Sequence, residues 1–407
     1  MTPIGFNNIL SPCPANIPPI RGDTAQPRGV SFNRSLFMPK FKTRQAFLSG
    51  AAAGAFGKSL ITGTSAQAAP AGLAAPVPGR RLRIGVIGMG FVSFSWSDLM
   101  EGTSPGSRNG NFGTPILNMD ITHVWNSNRK AGEEFAGRMD AKVCDKFDDM
   151  IGEIDGVIFS GWNEIPVHHL LAKPFLEAGI PTYIGRPFAY SLRDIDELLE
   201  TAAKYNTPIM ATAKFEHYKE IPALKSKIKN VGKIKVVQVD AASGDFPKHL
   251  HIQFMMLRIL GFDVDKVSMF TDHDLKSNYV HLTYLYPEKE DQPPFVCSID
   301  AARISDAFHI RIIGDKGIEE ASMLWGYDWQ TRLLHRYAPQ VIDMQRTFYG
   351  KNFEPYENVR KKTEIFLTAY YSYLERGGAP VDVGTVPADW RVNSPNINAA
   401  PDMTRYR

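Results

Sequence analysis

The chain has 407 residues, which is more than one ordinary domain contains and is a usual length for two domains. Its 43% apolar and 22% charged residues are typical of a globular protein. No apolar run approaches the roughly 18 residues that a membrane span needs, so integral membrane association is not expected. Lys and Arg number 46 and Asp and Glu 43, which gives a net charge of +3.

The positive charge is concentrated near the N-terminus. Residues 1–68 contain seven basic residues and one acidic residue, so they carry +6 and the rest of the chain carries −3. The predicted folded part therefore lacks the net positive charge that releases counterions from a nucleic acid. We expect no nucleic-acid partner.

Residues 1–68 are predicted to be a disordered leader and an export signal. A short basic segment begins at Met38, an Ala-rich apolar stretch covers 46–61, and small residues end at Ala68. This order is typical of a secretory signal, so export to the periplasm is expected. The alternative is a disordered tail on a cytoplasmic enzyme. Residues 69–80, with several Pro and Gly, are predicted to be a linker.

The cysteines predict neither disulfides nor zinc binding. Cys13, Cys144 and Cys297 are too few for a disulfide framework, and their spacing is not that of zinc ligands. No metal site is predicted.

A glycine pair follows the first predicted strand, the apolar run from Leu82 to Gly88. The residues of this turn are Gly88, Met89, Gly90, Phe91, Val92 and Ser93. In the fingerprint G-x-G-x-x-G, the glycines provide a tight turn, close approach to a pyrophosphate and close helix packing. Ser93 replaces the third glycine with another small residue. The turn is a candidate dinucleotide site, although any tight strand-to-helix turn favours glycine.

Strands and helices alternate after this turn. Strands are predicted at 82–88, 120–125, 156–160, 181–184 and 208–211, with helices at 168–178 and 192–204. This alternation predicts an α/β Rossmann domain over 81–213, with a doubly wound parallel sheet. Its ligands would lie beyond the carboxyl ends of the strands.

The end of the second strand bears on the choice of cofactor. An acidic residue there would hold the ribose hydroxyls of NAD, and this chain has Asn126 at that position. Asn does not repel a 2′-phosphate, and Arg129 could attract one. Arg129 is also an ordinary residue for an exposed helix start, so NAD and NADP both stay open.

Three segments resemble the Gfo/Idh/MocA oxidoreductases, the family of glucose-fructose oxidoreductase and inositol dehydrogenase. They lie at 85–90, 155–159 and 175–189, the last reading Phe-Leu-Glu-Ala-Gly-Ile-Pro-Thr-Tyr-Ile-Gly-Arg-Pro-Phe-Ala. The resemblance extends over about 81–378. It implies that Arg186 stands where relatives carry a Lys near the nicotinamide and substrate. Arg keeps the charge but cannot act as a neutral base.

The resemblance also assigns roles to residues around this position. Arg186 is expected to bind the cofactor and orient the substrate. Trp162 and Asn163, which follow the predicted strand at 156–160, are expected to bind the cofactor. His168 and His169, which come next, are expected near the nicotinamide.

Residues 214–407 are predicted to form an α+β domain for substrate binding and dimerisation. Strands are predicted at 231–240, 266–270, 279–286, 295–301, 308–313 and 318–324. Consecutive strands favour a large, mostly antiparallel open sheet. By the resemblance, one face of this sheet covers the active site and the other often contacts a second subunit, so a homo-oligomer is expected.

A helix is predicted within 244–261. The resemblance places the family's catalytic His at His251, whereas the family's Asp falls on Pro247 and is absent. Lys248 would share the helix face of His251. Asp245 is simply explained as a helix cap. His251, Lys248 and Arg186 are therefore the predicted catalytic residues.

Together these features predict an exported NAD(P)-dependent oxidoreductase acting on a sugar or polyol-like hydroxyl. His251 would accept the hydroxyl proton, while Lys248 and Arg186 would stabilise the alkoxide. The NAD or NADP should be tightly bound, because none is freely supplied outside the cytoplasm. One alternative is a redox-neutral, NAD-dependent glycosidase of the same fold, which fits export and the altered Lys and Asp positions. Another is a non-catalytic binding relic.

Overall fold

The computed structural model describes residues 80–88, 117–161, 164–241, 250–271, 279–302, 307–323 and 337–392. The predicted leader and export signal lie outside these ranges, and so does the predicted linker apart from Arg80.

Short runs of apolar and β-branched residues form a first sheet of six strands. They are β1 (Leu82–Ile87), β2 (Met119–Trp125), β3 (Lys142–Val143), β4 (Gly156–Phe159), β5 (Thr182–Ile184) and β6 (Ile209–Ala211). The order is β3-β2-β1-β4-β5-β6, and every neighbouring pair is parallel. The order reverses between β1 and β4, which confirms the predicted doubly wound sheet. A ligand crevice is expected beyond the carboxyl ends of these two strands.

One carboxylate joins the amino ends of β1 and β4. Asp155, just before β4, accepts hydrogen bonds from Arg80 Nη1 at 2.9 Å and from the backbone N–H of Arg83 at 2.7 Å. Burial by itself would raise the pKa of Asp155, but the hydrogen bonds and charge of the two arginines outweigh burial and lower it to about 2. Asp155 is therefore ionised at neutral pH and ties the two central strands together.

Helices cover both faces of the first sheet and one face of the second. They are α1 (Arg129–Met139), α2 (His168–Glu177), α3 (Leu192–Lys204), α4 (Glu220–Lys227), α5 (Leu250–Leu260), α6 (Ala338–Phe348) and α7 (Tyr356–Arg376). Helix α6 was not predicted from the sequence. Its Val341 and Phe348 share an apolar cluster with Val86 and Phe135, so α6 packs on the same face of the first sheet as α1.

The second sheet has seven strands. They are β7 (Ile234–Ala241), β8 (Lys266–Thr271), β9 (Tyr279–Tyr286), β10 (Phe295–Ala302), β11 (Phe308–Gly314), β12 (Ile318–Met323) and β13 (Val381–Asp382). The order is β12-β11-β7-β10-β9-β8-β13. The β7–β10 pair is parallel, and the other pairs are antiparallel. The predicted mostly antiparallel sheet is therefore confirmed.

Alternation along these strands separates a buried face from an outer face. In β10, for example, Cys297 and Ile299 are buried, whereas Val296 is exposed. Helices α5 and α7 belong to the same apolar core as the buried face. On the outer face, Phe270 is 58% exposed.

Among the described helices, none combines the length and apolarity that crossing a membrane requires.

Candidate cofactor and active site

Beyond Ile87 the chain turns sharply at Gly88. The φ of Gly88 is +69°, a left-handed conformation that favours glycine, and its N–H donates to the carbonyl of Trp125 at 2.9 Å. A Cβ atom on Gly88 would lie 2.6 Å from the Cα of Gly161, which follows β4 closely. The backbones of Gly88 and Gly161 are therefore in contact at the switch point of the sheet, the place between β1 and β4 where the strand order reverses. This turn fits the role in cofactor binding predicted for Gly88.

A buried carboxylate that sequence analysis missed lies against this turn. Glu164 is 2% exposed, and its Oε2 lies 2.6 Å from where a Cβ on Gly88 would stand. Its Oε1 accepts a 2.5 Å hydrogen bond from Ser127 Oγ. Burial raises the pKa of Glu164, although hydrogen bonds from Ser127 and from backbone groups oppose this rise. Only the pairing of β1 with β4 brings Glu164 to Gly88, so the sequence carried no signal for the contact.

Asn126 follows β2, as predicted for a ribose-binding residue, but its side chain also hydrogen-bonds the backbone of the same turn. Asn126 Oδ1 accepts a hydrogen bond from the N–H of Asn128 at 2.8 Å, and Asn128 caps the start of α1. The nearby Arg129 lies 2.8 Å from Glu133 and 2.6 Å from Asp145. The charge of Arg129 is thus already balanced by two carboxylates.

Arg186 and His251 lie on segments that contact each other. Arg186 follows β5 and is half-buried. His251, in the first turn of α5, is 1% exposed, and its ring stacks on Phe215 with the centroids 5.0 Å apart. Phe188, two residues after Arg186, stacks on Phe254, three residues after His251, at 5.4 Å. The remaining predicted site residues lie outside the described ranges: Met89, Gly90, Phe91, Val92, Trp162, Asn163 and Lys248.

Four charged side chains next to these segments form what we call the buried charge cluster: Lys362, Glu216, Glu354 and Arg258. The side chain of Lys362, on α7, is completely buried, and its Nζ bonds Glu216 Oε2 at 3.1 Å and also bonds Glu354 Oε1. Arg258, on α5, lies 3.8 Å from the other oxygen of Glu354. Burial raises the pKa of Glu354, and the charge of Lys362 opposes that rise.

The buried charge cluster also contacts the two site segments. Lys362 Nζ lies 5.3 Å from the ring centroid of Phe188 and 5.2 Å from that of Phe254, a distance at which a cation is attracted to an aromatic face. Lys362 therefore fixes the segment of Arg186 relative to the helix of His251. No motif in the sequence marked Lys362.

Two histidines at the start of α2 are buried and contact neighbouring side chains of the first sheet and its helices. His168 is fully buried edge-on to Phe159 at 5.9 Å, and burial lowers its pKa to about 3, so the ring is neutral. His169 lies 3.6 Å from Asp194, which also pairs with Arg391 at 2.6 Å.

Within the described ranges, His, Cys, Asp and Glu side chains do not gather in groups of three or more that could hold a metal ion. Cys144 and Cys297 are free and buried. Burial raises the pKa of both thiols, which makes neither a reactive thiolate.

The chain is an α/β protein in which a doubly wound parallel sheet, with a glycine turn where its strand order reverses, is joined to a mostly antiparallel sheet. Dinucleotides bind at such turns in doubly wound sheets. Residues 82–213 match the sequence model of the GFO_IDH_MocA family, described as an oxidoreductase family with an NAD-binding Rossmann fold. This segment of the chain is similar to the family that its motifs predicted. The description of the matched family agrees with the predicted NAD-dependent oxidoreductase.

Solved structures share the fold at low sequence identity. The myo-inositol dehydrogenase of Lactobacillus casei, in complex with NAD(H) and myo-inositol, is 13% identical with a TM-score of 0.61, covering 78% of this chain and 100% of its own. The WlbA dehydrogenase of Bordetella pertussis, in complex with NADH and UDP-GlcNAcA, is 13% identical with a TM-score of 0.56, covering 75% and 99%. An oxidoreductase of Agrobacterium radiobacter, in complex with NAD⁺, L-tartaric acid and magnesium, is 16% identical with a TM-score of 0.57, covering 75% and 99%. No curated protein sequence matches the chain.

Replacing Lys362 with Met tests the buried charge cluster. Met has a similar length but leaves Glu216 and Glu354 without the buried cation, so the free energy of unfolding should fall by about 3–5 kcal/mol, measured by urea denaturation. Lys361 is the matched control, because it is partly exposed and pairs with Glu364 at 3.1 Å. Lys361→Met should cost less than about 1 kcal/mol. Equal losses in the two variants would contradict the special role of Lys362.

Proposed function

We propose that this protein is an NAD(P)-dependent oxidoreductase that oxidises a hydroxyl of a sugar or polyol-like substrate by hydride transfer. The observation that carries the proposal is the glycine turn at Gly88, which lies at the switch point of a sheet whose residues 82–213 match an NAD-binding oxidoreductase family. Support for the substrate class comes from relatives of the same fold that bind myo-inositol or a UDP-sugar.

A dinucleotide fits the described residues. Gly88 and Gly161 approach so closely that a Cβ on either would clash, and the carboxylate of Glu164 lies against both. The close approach of the two backbones is what a dinucleotide-binding turn uses. Gly88, Asn126 and Arg186 would hold the cofactor. When bound, its nicotinamide supplies the hydride acceptor, and we propose that it binds tightly.

His251 is proposed to accept the proton of the substrate hydroxyl, because imidazole is a base whose pKa ordinarily lies near neutrality. Its stack on Phe215 holds the ring in one orientation. Arg186, a permanent cation, would stabilise the negative charge that develops on the oxygen. Lys248 is proposed to orient the same hydroxyl.

Substitution of His251 tests this mechanism. His251→Asn should lower kcat by about 10²–10⁴, the usual contribution of a general base, while the Kd for the cofactor stays within about twofold. Steady-state kinetics on a panel of polyols and sugars and calorimetry with the cofactor measure the two effects.

The control for this variant is His309→Asn, because His309 lies on the outer face of the second sheet. Full turnover by His251→Asn would contradict the assignment. Turnover of glycosides without an electron acceptor would indicate the redox-neutral glycosidase instead.

We further propose that the protein is exported and retains its cofactor outside the cytoplasm. Support comes from the basic, apolar and small-residue segments within 38–68. Mass spectrometry of protein purified from its own cells should find an N-terminus near Ala69 and one nucleotide released per chain. A chain that begins at Met1 or Met38 would contradict export, whereas a processed chain without nucleotide would contradict only tight binding.

We also propose that the outer face of the second sheet joins two copies of the chain. Its exposed apolar side chains include Phe270, Tyr279 and Val296. Phe270→Glu should convert a dimer to a monomer in sedimentation velocity, because a buried charge opposes association. Ile342→Glu, on α6 at 38% exposure, is the control and should leave the mass unchanged. A monomeric wild type would overturn this proposal.

A further inference from the structure

The carboxyl end of β2 offers no acidic residue for a nucleotide. In a doubly wound sheet the adenosine ribose lies at this end, and an Asp or Glu there accepts hydrogen bonds from its hydroxyls. Here the strand is followed by Asn126, Ser127 and Asn128. Asn126 Oδ1 already accepts a hydrogen bond from the N–H of Asn128 at 2.8 Å. The residues directly after β2 therefore contain no charged group that could accept hydrogen bonds from the ribose hydroxyls.

A carboxylate reaches the same place from the neighbouring loop. Glu164, a few residues after β4, has its Oε1 2.5 Å from Ser127 Oγ. Its Oε2 lies beside the Gly88 turn. The carboxylate thus extends from the end of β2 to the turn after β1. Because Glu164 is 2% exposed, water screens its charge poorly.

We propose that Glu164 makes the site selective for NAD over NADP, by accepting the ribose hydroxyls and repelling a 2′-phosphate. The inference rests on the proposed function and names the cofactor of that same site. Hydroxyls donate well to a carboxylate, whereas a phosphate would bring a second negative charge against it. Arg129, the cation that follows this segment, is engaged by Glu133 and Asp145. Arg129, the residue that the sequence offered as a partner for a 2′-phosphate, thus already pairs with two carboxylates.

Glu164→Gln tests the inference, because it removes the charge and keeps the shape. Calorimetry with NAD⁺ and with NADP⁺ gives a binding readout that is independent of turnover. We expect the wild type to bind NAD⁺ more tightly. The variant should bind NAD⁺ about tenfold more weakly and NADP⁺ about tenfold more tightly, the size of one hydrogen bond to a charged group.

Two further variants support this comparison. Glu164→Asp keeps the charge but shortens the side chain, so NADP⁺ binding should stay weak while NAD⁺ binding weakens. Glu153→Gln is the matched control, since Glu153 precedes β4 at the opposite end of the sheet, where it bonds Lys142 at 3.0 Å. Both affinities should be unchanged in that control. Thermal unfolding of each variant checks that it is folded.

The outcomes separate the inference from the function on which it rests. An unchanged ratio of the two affinities in Glu164→Gln would overturn the inference and leave the oxidoreductase standing. Equal tightening of both nucleotides would also overturn it, because the carboxylate would then act on the pyrophosphate. A wild type that binds neither nucleotide would refute the proposed function, and the inference with it.

Discussion

The buried ammonium group of Lys362 is the interaction on which the site most depends. Removing a charge from water costs several kcal/mol per ion, and only a well-placed partner of opposite charge offsets that cost. Lys362 has two such partners, Glu216 and Glu354. Glu216 follows β6 of the first sheet, whereas Lys362 lies on α7, which packs against β8 of the second. The pairing is satisfied only when both sheets are in place. The ring contacts of Lys362 with Phe188 and Phe254 extend this requirement to the segments that carry Arg186 and His251.

The candidate site is built in two physically different ways. At the turn after β1 the backbones of Gly88 and Gly161 pack so closely that neither residue has room for a Cβ. At the start of α5 the candidate site consists of side chains. The helices that pack on the second sheet place these side chains next to the first sheet. Glu164 belongs to neither group, since it enters the backbone crevice as a single buried charge. Such a charge discriminates between ligands by their own charge, which a bare glycine turn cannot do.

The sequence patterns predicted the longer elements well. The predicted helix over 192–204 coincides with α3, where Ser191 accepts from the N–H of Asp194 at 3.2 Å as an N-cap. Strands β8 to β12 lie within a residue or so of their predicted bounds. The two-residue strands β3 and β13 were missed, because a pattern of period two needs more residues to be visible. Helix α6 was missed although Val341, Met344 and Phe348 follow helical spacing. Its partner is the first sheet, far away in the sequence.

The amino-acid sequence by itself determined the two sheets, the glycine turn and the resemblance to an NAD-binding oxidoreductase family, because hydrophobic periodicity and short motifs are local properties of a chain. It also marked Gly88, Arg186 and His251. Only the tertiary structure decided what surrounds them. Lys362 and Glu216 are 146 residues apart in sequence, and Glu164 reaches Gly88 through strand pairing alone. Contacts of this kind follow from the register and packing of whole sheets, and no local pattern encodes them.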